Sequence, residues 1–207
     1  MANAQVQARA IERMRAHGFT VVEVQTAKQA KEYMLAHIAD GATVGVSGSV
    51  SVRQTEVLPA LEEKGCAILS HWDVAPQNVT ATRKQANLAD VYLTSANAVT
   101  KNGELVLIDG AGNRVSAVSF GPKQLFFVVS RSKIVDGGYA AAVARIKKIA
   151  CPPNARRQNL NTHCAATGVC DPVACGDASM CRITLVVDLV PRGREATVLF
   201  VEEALGY

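Results

Sequence analysis

Hydrophobic and polar positions along the chain switch between the helical and the strand period. Val6, Ala10 and Met14 recur at helical spacing through residues 4–17, and Gly18 is placed to stop that helix. Residues 19–24 (FTVVEV) read as a strand. Thr26 and Gln29 form a capping box before a second helix carrying Ala30, Met34 and Ile38, which Gly41 ends. Residues 43–46 are a short buried strand. Ser51 and Gln54 offer a second capping box, opening a helix through Leu58 and Leu61 to Gly65 that Pro59 kinks or shortens.

Residues 66–69 and 91–94 predict two more strands, with a polar helical stretch between them. LVLID, the turn GAGN and RVSAVSF predict a hairpin over 105–120, and QLFFVVS a fully buried strand over 124–130. Gly138 to Ile149 is a helix with Ala142, Val143, Ile146 and Ile149 on its apolar side. A polar loop follows Cys151-Pro152-Pro153, and ITLVVDLV and ATVLFVEEA read as a closing hairpin turned by PRGRE. The pattern predicts an α/β three-layer domain spanning residues 1–207 as a single unit. Its elaborations are a cysteine-rich loop over 151–182 and a C-terminal β-hairpin.

Composition supports one packed domain: 49% of the 207 residues are hydrophobic and 19% charged, which excludes wholesale disorder. The net charge of +4 calls for neither nucleic acid nor an acidic membrane surface, and no aromatic interleaving marks a nucleic-acid face. The first 18 residues lack the layout of a secretory signal, and the longest apolar runs are strand-sized. A cytoplasmic location without membrane insertion is the expectation. There thiols stay reduced, and clustered cysteines serve as metal ligands or catalytic groups rather than disulfides.

Three segments carry chemistry. In VGVSGSVS (44–51), Ser47, Gly48, Ser49 and Ser51 form a small-residue turn from strand to helix. The backbone can approach a ligand there and helix N–H groups can face an anion; the alternative is that the serines serve as caps alone. In residues 94–123, Asn97 and Thr100 follow a strand, and Asn113 and Arg114 sit beside the GAGN turn. Arg114 and Lys123 suit a carboxylate or phosphate, while Asp109 and Asn113 also satisfy a turn.

The third segment is the run Cys164-x5-Cys170-x4-Cys175-x5-Cys181. Four soft thiolates in one loop suit an iron–sulfur cluster, with zinc the alternative. His163 or Cys151 is a substitute ligand. Cys66, in the strand CAILS, reads instead as a small core residue. Arg145, Lys147, Lys148, Arg156 and Arg157 flank Cys151; they read as a solvated helix end whose charges would also stabilise an anionic cluster. His17, His37 and His71 are isolated, and His71-Trp72-Asp73, beyond a strand end, reads as structural, with a place on the pocket wall as the alternative.

The run SANAVTKNGELVLIDGAGNRVSAVSFGPKQLFFVVSRSKIV, with the VGVSGSVS turn and the CAATGVC segment, resembles the LUD domain, the lactate-utilisation family formerly known as DUF162. The resemblance covers nearly the whole chain. It implies a fold similar to the sugar-phosphate isomerase and CoA-transferase superfamily (NagB/RpiA/CoA-transferase-like). It also implies a place in a system that oxidises lactate to pyruvate beside iron–sulfur subunits. A subset of the family is similar in the cysteine region, with C-x2-T-G-x-C and two further cysteines; here the third lies further from the second. No residue matches the glutamate nucleophile of CoA transferases, since Glu104 reads as a solvent-facing strand start.

The leading expectation is therefore a LUD-type protein of lactate oxidation with its own cysteine-bound metal centre. Its expected partners are a small carboxylate or phosphorylated ligand and the iron–sulfur subunits of a complex. Two alternatives stay open. One is a standalone enzyme on a sugar-phosphate or acyl-CoA substrate with a structural metal, and the other is a non-enzymatic assembly module.

Overall fold

The computed structural model describes residues 2–207. Nine strands form two sheets: β1 (Thr20–Val24), β2 (Thr43–Val46), β3 (Ala67–Ser70), β4 (Val91–Thr94), β5 (Ala98–Val99), β6 (Leu105–Asp109), β7 (Gln124–Ser130), β8 (Ile183–Val187) and β9 (Glu195–Val201). The helices are α1 (Ala4–Ala16), α2 (Ala27–His37), α3 (Val50–Arg53), α4 (Val57–Glu63), α5 (Val79–Ala86), α6 (Asn113–Phe120), α7 (Tyr139–Arg145), α8 (Cys151–Arg157), α9 (His163–Thr167) and α10 (Pro172–Cys175).

The central sheet is parallel throughout, in the order β1-β9-β7-β4-β2-β3. Both of its faces are covered, so its inner strands carry runs of consecutive apolar residues rather than alternate ones. In β7, Leu125, Phe127 and Val129 face a core shared with α1 and α6, while Phe126 and Val128 face one shared with α2 and α4. The expected three-layer α/β architecture is thus present. A smaller antiparallel sheet, β5-β6-β8, lies beside it. Leu105 and Leu107 join the core against α1 and α6, and Val106 and Ile108 pack on α7 and α8.

The structure corrects several local expectations. RVSAVSF is helix α6, not the second arm of a hairpin. Gly112 takes a positive φ of 85° to turn the chain, and the Asp109 carboxylate accepts from the backbone N–H groups of Arg114 (2.9 Å) and Val115 (3.3 Å). Those bonds fill the open donors of a helix start. β6 pairs on one side with β5 and on the other with β8, more than seventy residues further on, with Leu105 opposite Val187 and Ile108 opposite Thr184.

The C-terminal β-hairpin is likewise absent, because β8 and β9 belong to different sheets. β9 lies between β1 and β7, with Leu199 opposite both Val22 and Val128. Arg194 in the connecting segment donates to the carbonyls of Ala117 (2.7 Å), Val118 (2.7 Å) and Pro122, closing the end of α6 as the chain crosses.

The second capping box is displaced: Ser49, not Ser51, caps α3 by accepting from Val52 N–H at 3.3 Å. Glu56, at a φ of 54°, separates α3 from α4. The helix at 138–149 also runs on. Ile146–Ala150 widens into a π-helical turn before α8, which begins Cys151-Pro152-Pro153. Consecutive prolines remove N–H donors and crowd the preceding turn, and a π turn accommodates both. The residues after Cys151 are therefore helical to Arg157 before the loop with α9 and α10. No helix among the described residues is long and apolar enough to cross a membrane.

Candidate functional site

A cavity of about 430 Å³ opens at the carboxyl edge of the parallel sheet. Ligand sites of α/β sheets gather at this edge, where strand ends and helix starts leave room between them. Segments following five of its strands reach the cavity: Gly48 to Ser51 after β2, His71 and Trp72 after β3, Ser95 to Asn97 after β4, Lys133 after β7, and Gly206 and Tyr207 after β9. The far wall comes from Ile108 to Arg114, from Cys151, Asn154 and Arg157 of α8, and from residues 177–182.

Of the residues singled out from the sequence, Gly48, Ser49, Ser51, Asn97, Asn113 and Arg114 line this one cavity. Arg114 is held by Asn97 Oδ1 at 3.1 Å and by the Ile108 carbonyl. Asn97 Oδ1 also accepts from Ile108 N–H at 2.9 Å, so the guanidinium is fixed against β6. Three others lie elsewhere. Ser47 is buried, with its hydroxyl lacking a hydrogen-bond partner. Thr100 is buried and bonded to the Glu104 carboxylate. Lys123 is exposed and paired with Glu195 at 3.4 Å.

At the serine turn α3 has only four residues, and Ser49 caps its start. What the turn does provide is close approach. An added Cβ at Gly48 would stand 2.8 Å from Trp72 Nε1 and 3.3 Å from His71 Nε2. The guanidinium groups of Arg53 (4.7 Å) and Arg157 (4.5 Å) are each placed for a cation–π contact with the Trp72 ring. Arg53 also pairs with Asp73, whose carboxyl this hydrogen bond holds below its usual range. Burial and then the Arg83 charge lower the pKa of His71, favouring neutral imidazole at the cavity wall.

Sequence reasoning passed over Lys133, which is buried at the cavity with Nζ bonded to Ser51 Oγ (2.9 Å) and Ser95 Oγ (3.1 Å). Burial, and then the charges of Arg145 and Arg114, pull its pKa down to about 7. Only its place directly after a buried strand marked it in the sequence. Arg145, expected at a solvated helix end, is buried instead and donates to the carbonyls of Asn97 (2.8 Å) and Ser132 (3.3 Å). Four arginines (Arg83, Arg114, Arg157 and Arg182) line the cavity against the carboxylates of Asp109 and Asp177, which suits an anionic occupant.

The cysteines border the same space. Cys151 and Cys181 line the cavity, with their sulfur atoms 3.4 Å apart. The hydrogen bond between the two thiols raises the pKa of Cys151 and lowers that of Cys181; Lys147 lowers Cys181 further. Burial pushes the Cys170 thiol up. Cys181, Cys164 and Cys175 act on it in the same direction against Lys147, so the four expected ligands share one electrostatic neighbourhood. Cys164 is buried and also acts on Cys151. This donor set has the soft-thiolate chemistry of zinc or an iron–sulfur cluster, although among the described residues no three such side chains converge on one ion position. Cys66 is a core residue, as expected, packed among the side chains of α2 and α4.

Fold and cavity together define a three-layer α/β protein with a cationic cleft at the carboxyl edge of its parallel sheet. The LUD-domain family model matches residues 7–201, and the chain belongs to that family. A crystal structure of a DUF162 family protein from Deinococcus radiodurans is similar in fold. It aligns at a TM-score of 0.55 and 14% identity, covering 97% of this chain and 99% of that one. No curated protein matches the chain in sequence.

Proposed function

We propose that this LUD-domain protein contributes to the oxidation of lactate to pyruvate within an iron–sulfur electron-transfer complex, binding a small carboxylate in its cavity and holding a cysteine-ligated metal centre. One observation carries the reading: Cys151 and Cys181 border the same cavity as Arg114 and Lys133. Thiolates and an anion-binding surface so close together suit a site where a carboxylate is oxidised beside an electron acceptor.

In this reading Arg114 grips the carboxylate with its planar fork. Asn97 keeps that fork in place, and Trp72, with Arg157 stacked on it, closes the outer wall. Cys164, Cys170, Cys175 and Cys181 would hold the metal centre, with Cys151 available through its contact with Cys181. An iron–sulfur cluster there would supply one-electron transfer; zinc, the alternative, would serve structure. Lys147, beside Cys181, would offset the negative charge of bound thiolates.

Anaerobic purification with iron, sulfide and zinc analysis, followed by visible and EPR spectra, tests the metal centre. Stoichiometric iron and sulfide are expected; a colourless protein free of all three after reconstitution would refute it. Titration calorimetry with lactate and pyruvate tests the cavity, with Arg114→Ala expected to weaken binding about tenfold or more. The excess of cations favours one second reading, an enzyme acting on a phosphorylated substrate. Binding of phosphosugars or CoA esters, with none of lactate or pyruvate, would select it.

A further inference from the structure

Lys133 is placed more like a nucleophile than like a simple counter-charge. Its Nζ donates to Ser51 Oγ and Ser95 Oγ, and each serine hydroxyl donates its own proton to a backbone carbonyl, that of Leu205 (3.3 Å) and that of Ala96 (3.1 Å). Both serine oxygens therefore meet the amine as acceptors. Among the described residues no carboxylate forms an ion pair with Lys133, and its charged neighbours, Arg145 and Arg114, are cations. An ammonium ion there would be desolvated and repelled, which favours the uncharged amine.

An uncharged amine with two N–H groups held by serines has its lone pair in the remaining tetrahedral direction, and Lys133 lines the cavity. The segment after β9 packs beside the amine without a side chain. A Cβ on Gly206 would stand 2.3 Å from Ser51 Oγ and 3.2 Å from Lys133 Nζ, so the glycine keeps a side chain out of the amine's surroundings.

We propose that Lys133 forms an imine with a small oxo acid whose carboxylate is held by Arg114. The nitrogen lone pair adds to the carbonyl carbon, and the displaced π pair goes to oxygen, which takes a proton from nitrogen. The resulting carbinolamine loses its hydroxyl with the second nitrogen proton as water, leaving C=N. Amine and carbonyl become imine and water, with no change of oxidation state and no further reactant. Such a covalent hold retains an oxo acid, and once its nitrogen is protonated the C=N group serves as the electron sink. The imine step rests on the surroundings of Nζ. Only the identity of the oxo acid rests on the reading of the cavity as a carboxylate site.

Incubating the whole protein with pyruvate and cyanoborohydride, then mapping peptides by mass spectrometry, tests this, with propanal in a parallel arm. The expected result is a saturable reduced adduct on Lys133, formed at least tenfold faster than on the exposed Lys28 or Lys123, and slowed about tenfold by Arg114→Ala for pyruvate but not for propanal. An adduct on Lys133 from propanal alone keeps the imine chemistry and overturns the carboxylate reading. Pyruvate binding measured by calorimetry, without an adduct on Lys133 from either carbonyl, overturns the imine and leaves that reading standing. Labelling spread evenly over the lysines also overturns it.

Discussion

The sulfur atoms of Cys151 and Cys181 are 3.4 Å apart although thirty residues separate them along the chain. One stands at the start of α8, where the prolines have widened the preceding turn, and the other just before β8. The contact ties the helix that walls the cavity to the segment that carries the other cysteines. Cys181→Ser and Cys170→Ser are expected to abolish metal retention, measured as iron, sulfide and zinc per chain after anaerobic reconstitution. Cys66→Ala, in the core between α2 and α4, is expected to leave metal content unchanged.

Lys133 makes stability depend on pH in a defined window. Its pKa is about 7 in the folded chain against 10.5 when free, so between those values the unfolded chain binds the extra proton. Stability contributed by this group therefore rises with pH from about 7 to about 10.5, by up to about 1.4 kcal/mol per unit. Below about pH 7 the folded state carries the full penalty. Urea unfolding across this range, compared with Lys133→Met, is expected to show a steeper rise in the wild type, because the other titrating groups cancel in the difference.

Gly48 permits the approach of Trp72, the chain's single tryptophan. Gly48→Ala is expected to push the indole away from Arg157 and to destabilise the protein by about 1–3 kcal/mol, the usual range for overpacking. Trp72 emission is expected to change in Gly48→Ala and in Arg157→Ala. In the wild type it is expected to shift when a ligand fills the cavity, which Trp72 lines.

Asp109 starts α6 and Arg194 closes it. Asp109→Ala is expected to cost about 1–2 kcal/mol in denaturant unfolding, the scale of a lost helix cap. It is also expected to weaken carboxylate binding, because Arg114 is the second residue of α6. Asp109→Asn retains an acceptor oxygen and is expected to recover part of both losses.

Where a segment's structure follows from its own neighbours, the sequence disclosed it. α1, α2, β2, β4 and β7 appear close to where the apolar periodicity puts them, and the cap of α2 is Thr26, which accepts from Gln29 N–H at 3.3 Å. RVSAVSF misled because Val115 and Ala117 satisfy a strand period while Val115 and Val118 satisfy a helical one. The cap that decides between them lies at Asp109, ahead of the turn.

The sequence by itself determined an α/β chain of one family, a small-residue turn after β2, Asn97 as a polar group beyond a strand end and Arg114 as one beside the GAGN turn. Only the tertiary structure decided that β9 enters the central sheet while β8 pairs with β6, and that Lys133 meets Ser51 and Ser95 across long stretches of chain. It also decided that Cys151 stands beside Cys181. Periodicity and capping are set by residues a few positions apart, through local sterics and the burial of one face. Strand order and the gathering of a site depend on which distant surfaces exclude water together, and no local pattern encodes that.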